Sequence, residues 1–307
     1  MATPAERAEL IKKGTAKSRR DFLAYSAEQE KAIYNLLQQS ADNIAKRIAK
    51  AETMGKIPAA RLKPLLDTIQ AEMAALRPAI KGQIVRGMSN SVNLGMESAV
   101  KGMAGAGLKG GIKIEIGSAF IGKDGKVRKY DAKEEAFKDS KWGKINKNAM
   151  AALLKNPSAG ITLSDRVWDL TWAAEKAMRA QLQMAVLQGD SAARLSRDIR
   201  GFLSQPLTLR GKVKAAYQPG TGVYKSAYQN AMRFARTEYN RAFNEGEFRY
   251  AADKDWVMGY VWRTGGANPC EDCAALDGTE YEKGNEPTIP LHPNCECWLE
   301  LVTDESK

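Results

Sequence analysis

The feature that most constrains this chain is a cluster of potential metal ligands near its C-terminus. All four cysteines and the single histidine of the 307-residue sequence lie between Cys270 and Cys297. They form two motifs, a Cys-x-x-Cys that ends at Cys273 and a His-x-x-Cys-x-Cys that begins at His292. Two such motifs can bring sulfur and nitrogen ligands to one tetrahedral ion, for which zinc is the default metal. The sequence therefore predicts a structural zinc site.

Five residues compete for the four positions of such a site, namely Cys270, Cys273, His292, Cys295 and Cys297. A four-cysteine site leaves His292 beside the metal. A site made of three cysteines and His292 leaves Cys295 or Cys297 unbound. We place His292 at or beside the metal, because an isolated histidine is otherwise hard to explain there.

Disulfide bonds and a redox motif are the alternative explanations of the cysteines. Disulfides are rare in cytosolic proteins. A redox Cys-x-x-Cys lies at a strand-to-helix junction in an apolar context, whereas here Pro269, Glu271 and Asp272 surround the motif. Both alternatives are therefore weaker than a metal site.

Composition and charge indicate a globular protein that meets a polyanion. No apolar run approaches the length of a membrane span, and the N-terminus lacks a signal-peptide core, so we expect no membrane partner and folding in a cytoplasm. The net charge is +11, yet residues 251–307 hold four basic and twelve acidic groups, which leaves +19 on the first 250 residues. Such a basic body favours nucleic acid as a partner, although solvated helix faces are the alternative.

A basic run near the N-terminus is the first candidate for nucleic-acid contact. Gly14 and Ser18 weaken any helix here, so residues 1–24 are predicted to form a partly ordered arm. The candidate residues for contact with nucleic acid are Lys12, Lys13, Lys17, Arg19 and Arg20.

Hydrophobic periodicity predicts helices over most of the chain. The predicted spans are 25–54, a helix from Pro58 that Pro78 interrupts, 80–104, 131–156, 161–189, a shorter helix that ends at Leu203, and 225–252. Within 80–104, the four glycines predict close helix contact, bending or conformational freedom, and they are Gly82, Gly87, Gly95 and Gly102.

The helix over 161–189 carries the clearest signals. Thr162 or Ser164 can cap its start, with Asp165 in the first turn. Its predicted buried face consists of Val167, Leu170, Ala174, Met178, Leu182 and Ala185. Trp168 and Trp172 are one turn apart and are predicted to widen that buried face.

Short strands complete the predicted fold. Alternation and an Asp-Gly turn predict a β ribbon over 112–130, and Trp256–Trp262 and Cys297–Val302 read as strands that flank the cysteine motifs. The fold class is mainly α with small β elements (α+β), a helical body followed by a zinc-stapled β module. The predicted regions are 1–110 (N-terminal helices with the basic arm), 111–130 (β ribbon), 131–255 (helical body) and 256–307 (metal-knuckle module).

The C-terminal half resembles the phage head morphogenesis family, the minor capsid proteins typified by protein F of phage Mu. The resemblance covers about residues 160–302. Its most specific part is the His-Pro-x-Cys-x-Cys ending after the Cys-x-x-Cys. The other matching motifs are Ala235-Arg236-Thr237-Glu238, the tryptophan-bearing strand, Arg263-Thr264 and Leu276-Asp277-Gly278. One departure is the Gly265–Pro269 insertion before the first cysteine.

The resemblance implies a virion component that associates with the portal vertex and lies inside the capsid, after assembly in the host cytoplasm. Double-stranded DNA, bound without sequence preference, is the second implied partner. The scaffold and the major capsid protein are further candidate contacts. Such a protein acts by contact, and we expect no enzymatic activity.

Two other functions compete with this interpretation. A zinc-knuckle nuclease needs a catalytic histidine besides its structural ligands, and the only histidine here belongs to the knuckle. A DNA-binding module for transcription would read DNA with its knuckle, but the knuckle lies in the most acidic part of the chain. Both stay as alternatives to the assembly role.

Overall fold

The computed structural model describes residues 4–105, 141–155, 162–203, 227–265 and 269–303. The long helices are α1 (Pro4–Ala49), α2 (Leu62–Gly105), α3 (Lys141–Lys155), α4 (Leu163–Gln188), α5 (Ala192–Leu203) and α6 (Ala227–Ala251). The C-terminal module contains β1 (Val257–Arg263), the short helix α7 (Glu271–Leu276), β2 (Glu280–Glu282) and β3 (Trp298–Thr303). The described part of the chain is thus mainly helical with one small sheet, as predicted; the predicted β ribbon over 112–130 lies outside the described residues.

Contacts divide the protein into two units made of discontinuous segments. Unit 1 contains residues 1–27, 86–156 and 236–307, and unit 2 contains 28–85 and 157–235. These units differ from the four consecutive regions predicted above. The reason is that each unit is assembled from segments far apart in the sequence, which local sequence patterns cannot reveal.

The helices of unit 1 approach each other closely at glycines. A Cβ placed on Gly95 of α2 would lie 1.9 Å from the carbonyl oxygen of Phe243, and one on Gly246 of α6 would lie 2.2 Å from that of Val92. Gly87 likewise faces the ring of Tyr239, 2.3 Å from its hypothetical Cβ. The predicted close helix contact is therefore confirmed for Gly87 and Gly95.

The sheet of unit 1 is antiparallel with the order β2-β1-β3. The central strand buries Tyr260 and Trp262, and β3 buries Leu299 and Leu301. The predicted strands before and after the cysteine motifs are thus confirmed as neighbours in one sheet. Their pairing brings the two ends of the module together, with the cysteine motifs in the connection between them.

Unit 2 is built around α4. Thr162 and Asp165 form a capping box at its start, and Gly189 ends it in the left-handed conformation with φ 68°. The six residues predicted for its buried face are all buried. Arg77 of α2 donates hydrogen bonds to Thr171 at 2.9 Å and to Glu175 at 2.5 Å, which ties α2 to α4.

The prediction for Trp168 and Trp172 is wrong. Their exposed fractions are 46% and 43%, and their rings stack on each other with centroids 5.5 Å apart. The Lys176 ammonium lies 5.2 Å from the ring of Trp172. The two rings therefore cover part of each other's surface but remain outside the core. Helical spacing is the same for such an exposed pair and for a buried pair, so the sequence could not separate the two cases.

Three predicted interruptions in the long helices are also wrong. Helix α1 continues through Gly14 and Ser18, and α2 continues through Pro78. A Cβ on Gly14 would lie 3.1 Å from the carbonyl oxygen of Lys101, and Ser18 is buried. Tertiary contact therefore outweighs the weak helix propensity of these two residues, and the N-terminal segment from Pro4 is part of a helix instead of a loose arm.

Candidate metal centre

The first cysteine motif begins α7. Cys270 precedes the first turn, and its Sγ accepts a hydrogen bond from the main-chain N–H of Cys273 at 3.4 Å. Cys270 is exposed, whereas Cys273 is 1% exposed. The turn thus directs one sulfur into the module and leaves the other at its surface.

His292 places its imidazole against both of these sulfurs. Its Nε2 lies 3.1 Å from the Sγ of Cys270 and 3.1 Å from the Sγ of Cys273. Its Nδ1 lies 2.9 Å from the carbonyl oxygen of Pro293. Since a carbonyl can only accept, Nδ1 carries the proton and the Nε2 lone pair faces the sulfurs. This arrangement is typical of a metal-binding histidine held by a main-chain acceptor.

The second cysteine motif completes the cluster. The Sγ atoms of Cys273 and Cys295 are 3.9 Å apart. The five ligand atoms form two overlapping triads that share Cys273, and within each triad the atoms lie within 4.8 Å of one another. Tetrahedral zinc with sulfur at about 2.3 Å requires sulfurs about 3.8 Å apart. The cluster therefore fits a zinc ion in donor type, and the separation of the Cys273 and Cys295 sulfurs matches that of two zinc-bound sulfurs.

Hydrogen bonds among the thiols distribute their protons unequally. The pKa of Cys295 falls to about 5, chiefly because the thiol of Cys297 donates to its sulfur. The same hydrogen bond, together with burial, raises the pKa of Cys297. Burial raises the pKa of Cys273 to about 12. Several thiolates cannot coexist in so small a space unless a cation compensates their charge, which is what a divalent metal supplies.

The hydrogen bond to Pro293 also acts on the imidazole, because it is the largest cause that raises the pKa of His292. For Cys270, the main-chain N–H of Cys273 is the largest cause that lowers the thiol pKa. Both shifts follow from main-chain groups that orient the ligand atoms.

A left-handed residue and a side-chain hydrogen bond shape the loops that carry the ligands. Asn294 adopts φ 62°, a left-handed conformation that asparagine tolerates better than most residues. Thr264 donates from its main-chain N–H to the Oδ1 of Asp277 at 2.9 Å, and its hydroxyl lies 3.2 Å from the same oxygen. The Arg-Thr and Leu-Asp-Gly motifs thus pair with each other at the base of α7.

Polar side chains of α6 form hydrogen bonds with the main chain of the second cysteine motif. Asn240 is buried and donates to the carbonyl oxygens of Cys295 at 2.9 Å and Cys297 at 3.0 Å. One turn later, the Oδ1 of Asn244 accepts from the main-chain N–H of Leu299 at 3.3 Å. Because these amides bind main-chain groups, they fix the path of the chain through the motif.

Arg19 of α1 contacts the same segment. Its guanidinium donates to the carbonyl oxygen of Glu296, and it lies over three aromatic rings, with centroid distances of 4.6 Å to Phe22, 5.2 Å to Phe243 and 5.5 Å to Trp298. Burial lowers the pKa of Arg19 to about 10, so the group stays charged at neutral pH. It is a structural cation inside unit 1.

The sequence prediction that Arg19 contacts nucleic acid is therefore corrected. Its exposed fraction is 2%, and its guanidinium contacts a main-chain carbonyl and the faces of aromatic rings. Lys17 and Arg20 are exposed on α1. The side chains of Lys12 and Lys13 lie outside the described part of the structure.

Sequence reasoning found the five ligand-type residues but missed their supports. Asn240 and Asn244 are four residues apart on the buried side of α6. A pair of polar residues within an apolar stripe is a sequence signal that could have indicated buried hydrogen bonds. Arg19 carried no such signal, because its partner is the carbonyl of a residue 277 positions away. Its burial could only be learned from the tertiary structure.

No helix in the described ranges combines the length and the apolar character that crossing a bilayer requires. Comparisons of the chain with protein-family models, with curated proteins and with solved structures give no match.

Proposed function

We propose that the chain is a non-enzymatic assembly protein of a tailed-phage head, with a C-terminal module held together by a structural zinc ion. The observation that carries the zinc proposal is the gathering of four cysteines and one histidine into two overlapping triads of ligand atoms that share Cys273. The assembly role rests on the motif resemblance described above and on the basic charge of the first 250 residues.

We assign the four zinc ligands to Cys270, Cys273, His292 and Cys295. His292 Nε2 touches the first two sulfurs, and the 3.9 Å separation of Cys273 and Cys295 matches the spacing of two zinc-bound sulfurs. Cys297 then donates its thiol hydrogen bond to the sulfur of Cys295. When bound, zinc supplies a rigid cross-link and neutralises the thiolates.

The geometry favours a structural metal over a catalytic one. Both ring nitrogens of His292 are engaged, one by the sulfurs and one by a carbonyl. The carboxylate of Asp165 in the helical body serves the capping box of α4. A nuclease or a metal-knuckle DNA-binding protein stays the alternative, and it would require an open coordination position at the metal.

The proposed role in the head is contact with the portal vertex inside the capsid and with packaged double-stranded DNA. A protein packed against DNA gains affinity by neutralising phosphates and needs no base contacts. The portal is the main proposed partner. The scaffold and the major capsid protein are secondary ones.

Co-expression with the cognate portal protein tests this role. We expect the wild-type chain to co-purify with the portal, and we expect heads assembled with it to contain the protein inside the shell. If the chain never co-purifies with the portal, and purified protein instead cleaves DNA in a metal-dependent reaction, the enzyme alternative replaces the assembly role.

A further inference from the structure

Helix α3 differs in charge from the other described helices of the protein. Its sequence contains four lysines and no acidic residue over 15 residues. By contrast, α1, α2, α4, α5 and α6 each mix basic and acidic side chains, and α7 is acidic. Among the described helices, the positive charge of the basic body is therefore most concentrated on α3.

The lysines of α3 lie on one face of the helix. At 3.6 residues per turn they fall within about 120° of its circumference. All four are exposed, and they are Lys141, Lys144, Lys147 and Lys155. The opposite face buries Ala149, Met150 and Leu153. The helix thus presents a cationic strip roughly 20 Å long to solvent.

The buried face fixes α3 firmly in unit 1. The side-chain amide of Asn146 donates to the carbonyl oxygen of Ser89 and to the Oδ1 of Asn93, both at 2.8 Å. Trp142 packs on Tyr250 with ring centroids 5.6 Å apart. A strip held this way is displayed in one orientation, so little ordering of the backbone is needed when a partner binds.

We propose that this lysine face of α3, defined by Lys141, Lys144, Lys147 and Lys155, binds the phosphate backbone of duplex DNA. The inference rests on the DNA contact in the proposed function and names the surface that makes it. Lysine ammonium groups bind phosphates as point charges, without the geometry that base readout demands. Binding through this face is therefore independent of DNA sequence.

The chemistry of the helix favours duplex DNA over two other polyanions. A helix that binds a membrane surface inserts its apolar face into the lipid, but the apolar face of α3 is buried within unit 1. Single-stranded nucleic acid is held by aromatic side chains on which bases stack. The aromatic residue of α3, Trp142, is already packed against Tyr250. The exposed strip therefore offers positive charge without a free aromatic ring, which suits a duplex backbone.

The test compares two triple variants of the full-length, zinc-loaded chain. In the first, Lys144, Lys147 and Lys155 are changed to Gln, which keeps helix propensity almost unchanged. Lys141 is left intact because it pairs with Asp253 at 2.8 Å. In the matched control, Lys31, Lys50 and Lys63, which are exposed in unit 2, are changed to Gln. Fluorescence anisotropy with two duplexes of unrelated sequence is measured over a range of salt concentrations.

We expect the α3 variant to bind both duplexes more weakly than the wild type, by the same factor for each. The slope of log affinity against log salt should become less steep by about 2 to 3. In the control variant the slope should become less steep by less than about 1. Equal losses in both variants would show diffuse attraction and would overturn the α3 assignment. Binding by the α3 variant that equals wild-type binding would also overturn the α3 assignment, but the proposal that the protein contacts DNA would stand. If the wild-type chain does not bind either duplex at low salt, DNA contact itself fails, together with the α3 assignment.

Discussion

The guanidinium of Arg19 donates a hydrogen bond to the main-chain carbonyl of Glu296, the residue between the last two cysteines. The same carbonyl faces Gly265, where an added Cβ would lie 1.9 Å from its oxygen. Asn240 binds the carbonyls on either side of it, those of Cys295 and Cys297. The second cysteine motif is therefore held by α1, by α6 and by the loop after β1, before any metal is considered.

Replacing Arg19 tests whether α1 supports the metal module. We expect Arg19→Ala to lower the free energy of unfolding by about 3 kcal/mol, because the change removes a charged hydrogen bond and leaves a cavity among three rings. We also expect faster transfer of zinc to a chelator. The matched change Arg20→Ala, at an exposed neighbour, should cost less than about 0.5 kcal/mol. Urea unfolding and a chelator assay measure both effects, and equal results for the two variants would contradict the support role.

The α2–α6 contact gives a prediction about packing. Gly95→Ala should destabilise the protein by about 2 kcal/mol or more, because the new methyl group overlaps the Phe243 carbonyl and the helix backbones must separate. Gly201→Ala is the control, since a Cβ there meets no atom within 4 Å. Because Gly201 lies in the last turn of α5, the change to alanine should alter the free energy of unfolding by less than about 0.5 kcal/mol. Thermal unfolding measures both changes. A Gly95→Ala protein as stable as the wild type would show that the helices are not in close contact.

Glu247 predicts a pH dependence of stability. Burial raises the pKa of its carboxyl from 4.5 to about 8, where it lies near Arg19 and Glu300. Between pH 4.5 and 8 the folded chain therefore retains a proton that the unfolded chain releases, so this group makes stability fall as pH rises through that window. Glu247→Gln removes the titration. We expect the stability of the variant relative to wild type to rise from pH 5 to pH 8, by up to ~1.4 kcal/mol per pH unit.

Denaturant unfolding at several pH values measures this difference, in which the titrations of the cysteines cancel. Glu280→Gln serves as control, because Glu280 is exposed on β2. A difference between Glu247→Gln and wild type that is constant with pH would show that the Glu247 carboxyl is not perturbed by burial.

The choice of the fourth ligand can be decided with two matched variants. Cys295→Ala and Cys297→Ala each remove one buried thiol from the same short motif. We expect Cys295→Ala to lose the metal and Cys297→Ala to retain one equivalent, because the sulfur of Cys295 lies at ligand spacing from Cys273. Metal content after gel filtration gives the answer. Retention by Cys295→Ala with loss from Cys297→Ala would reverse the assignment.

The helical body and the ligand cluster could be predicted from the sequence because their signals are local. Thr162 and Asp165 lie three residues apart, and the cysteines of each motif lie within one or two turns of chain. The change to an alternating pattern of side chains also located the strands that flank the motifs. Local periodicity, capping chemistry and ligand spacing were sufficient for these elements.

The errors arose where distant contacts decide the outcome. Gly14 is helical because α1 packs on the carbonyl of Lys101, and Arg19 is buried because Glu296 accepts its hydrogen bond. Trp168 and Trp172 have helical spacing that suits a core, yet their stacked rings lie near the surface. Lys101 and Glu296 lie far from Gly14 and Arg19 in the sequence, and the helical spacing of the tryptophans is the same for a buried pair and an exposed one.

Metal content is the most direct test of the central claim, that a zinc ion bound by the cysteine–histidine cluster holds the C-terminal module together. Native mass spectrometry of the full chain, purified without chelator, should show one zinc per chain, and Cys273→Ser should show none. Hydrogen exchange should then show that β1 and β3 lose protection in the variant, while α4 keeps it. A wild-type chain that binds no zinc even when zinc is supplied, and whose β1 and β3 are protected without it, would contradict the account.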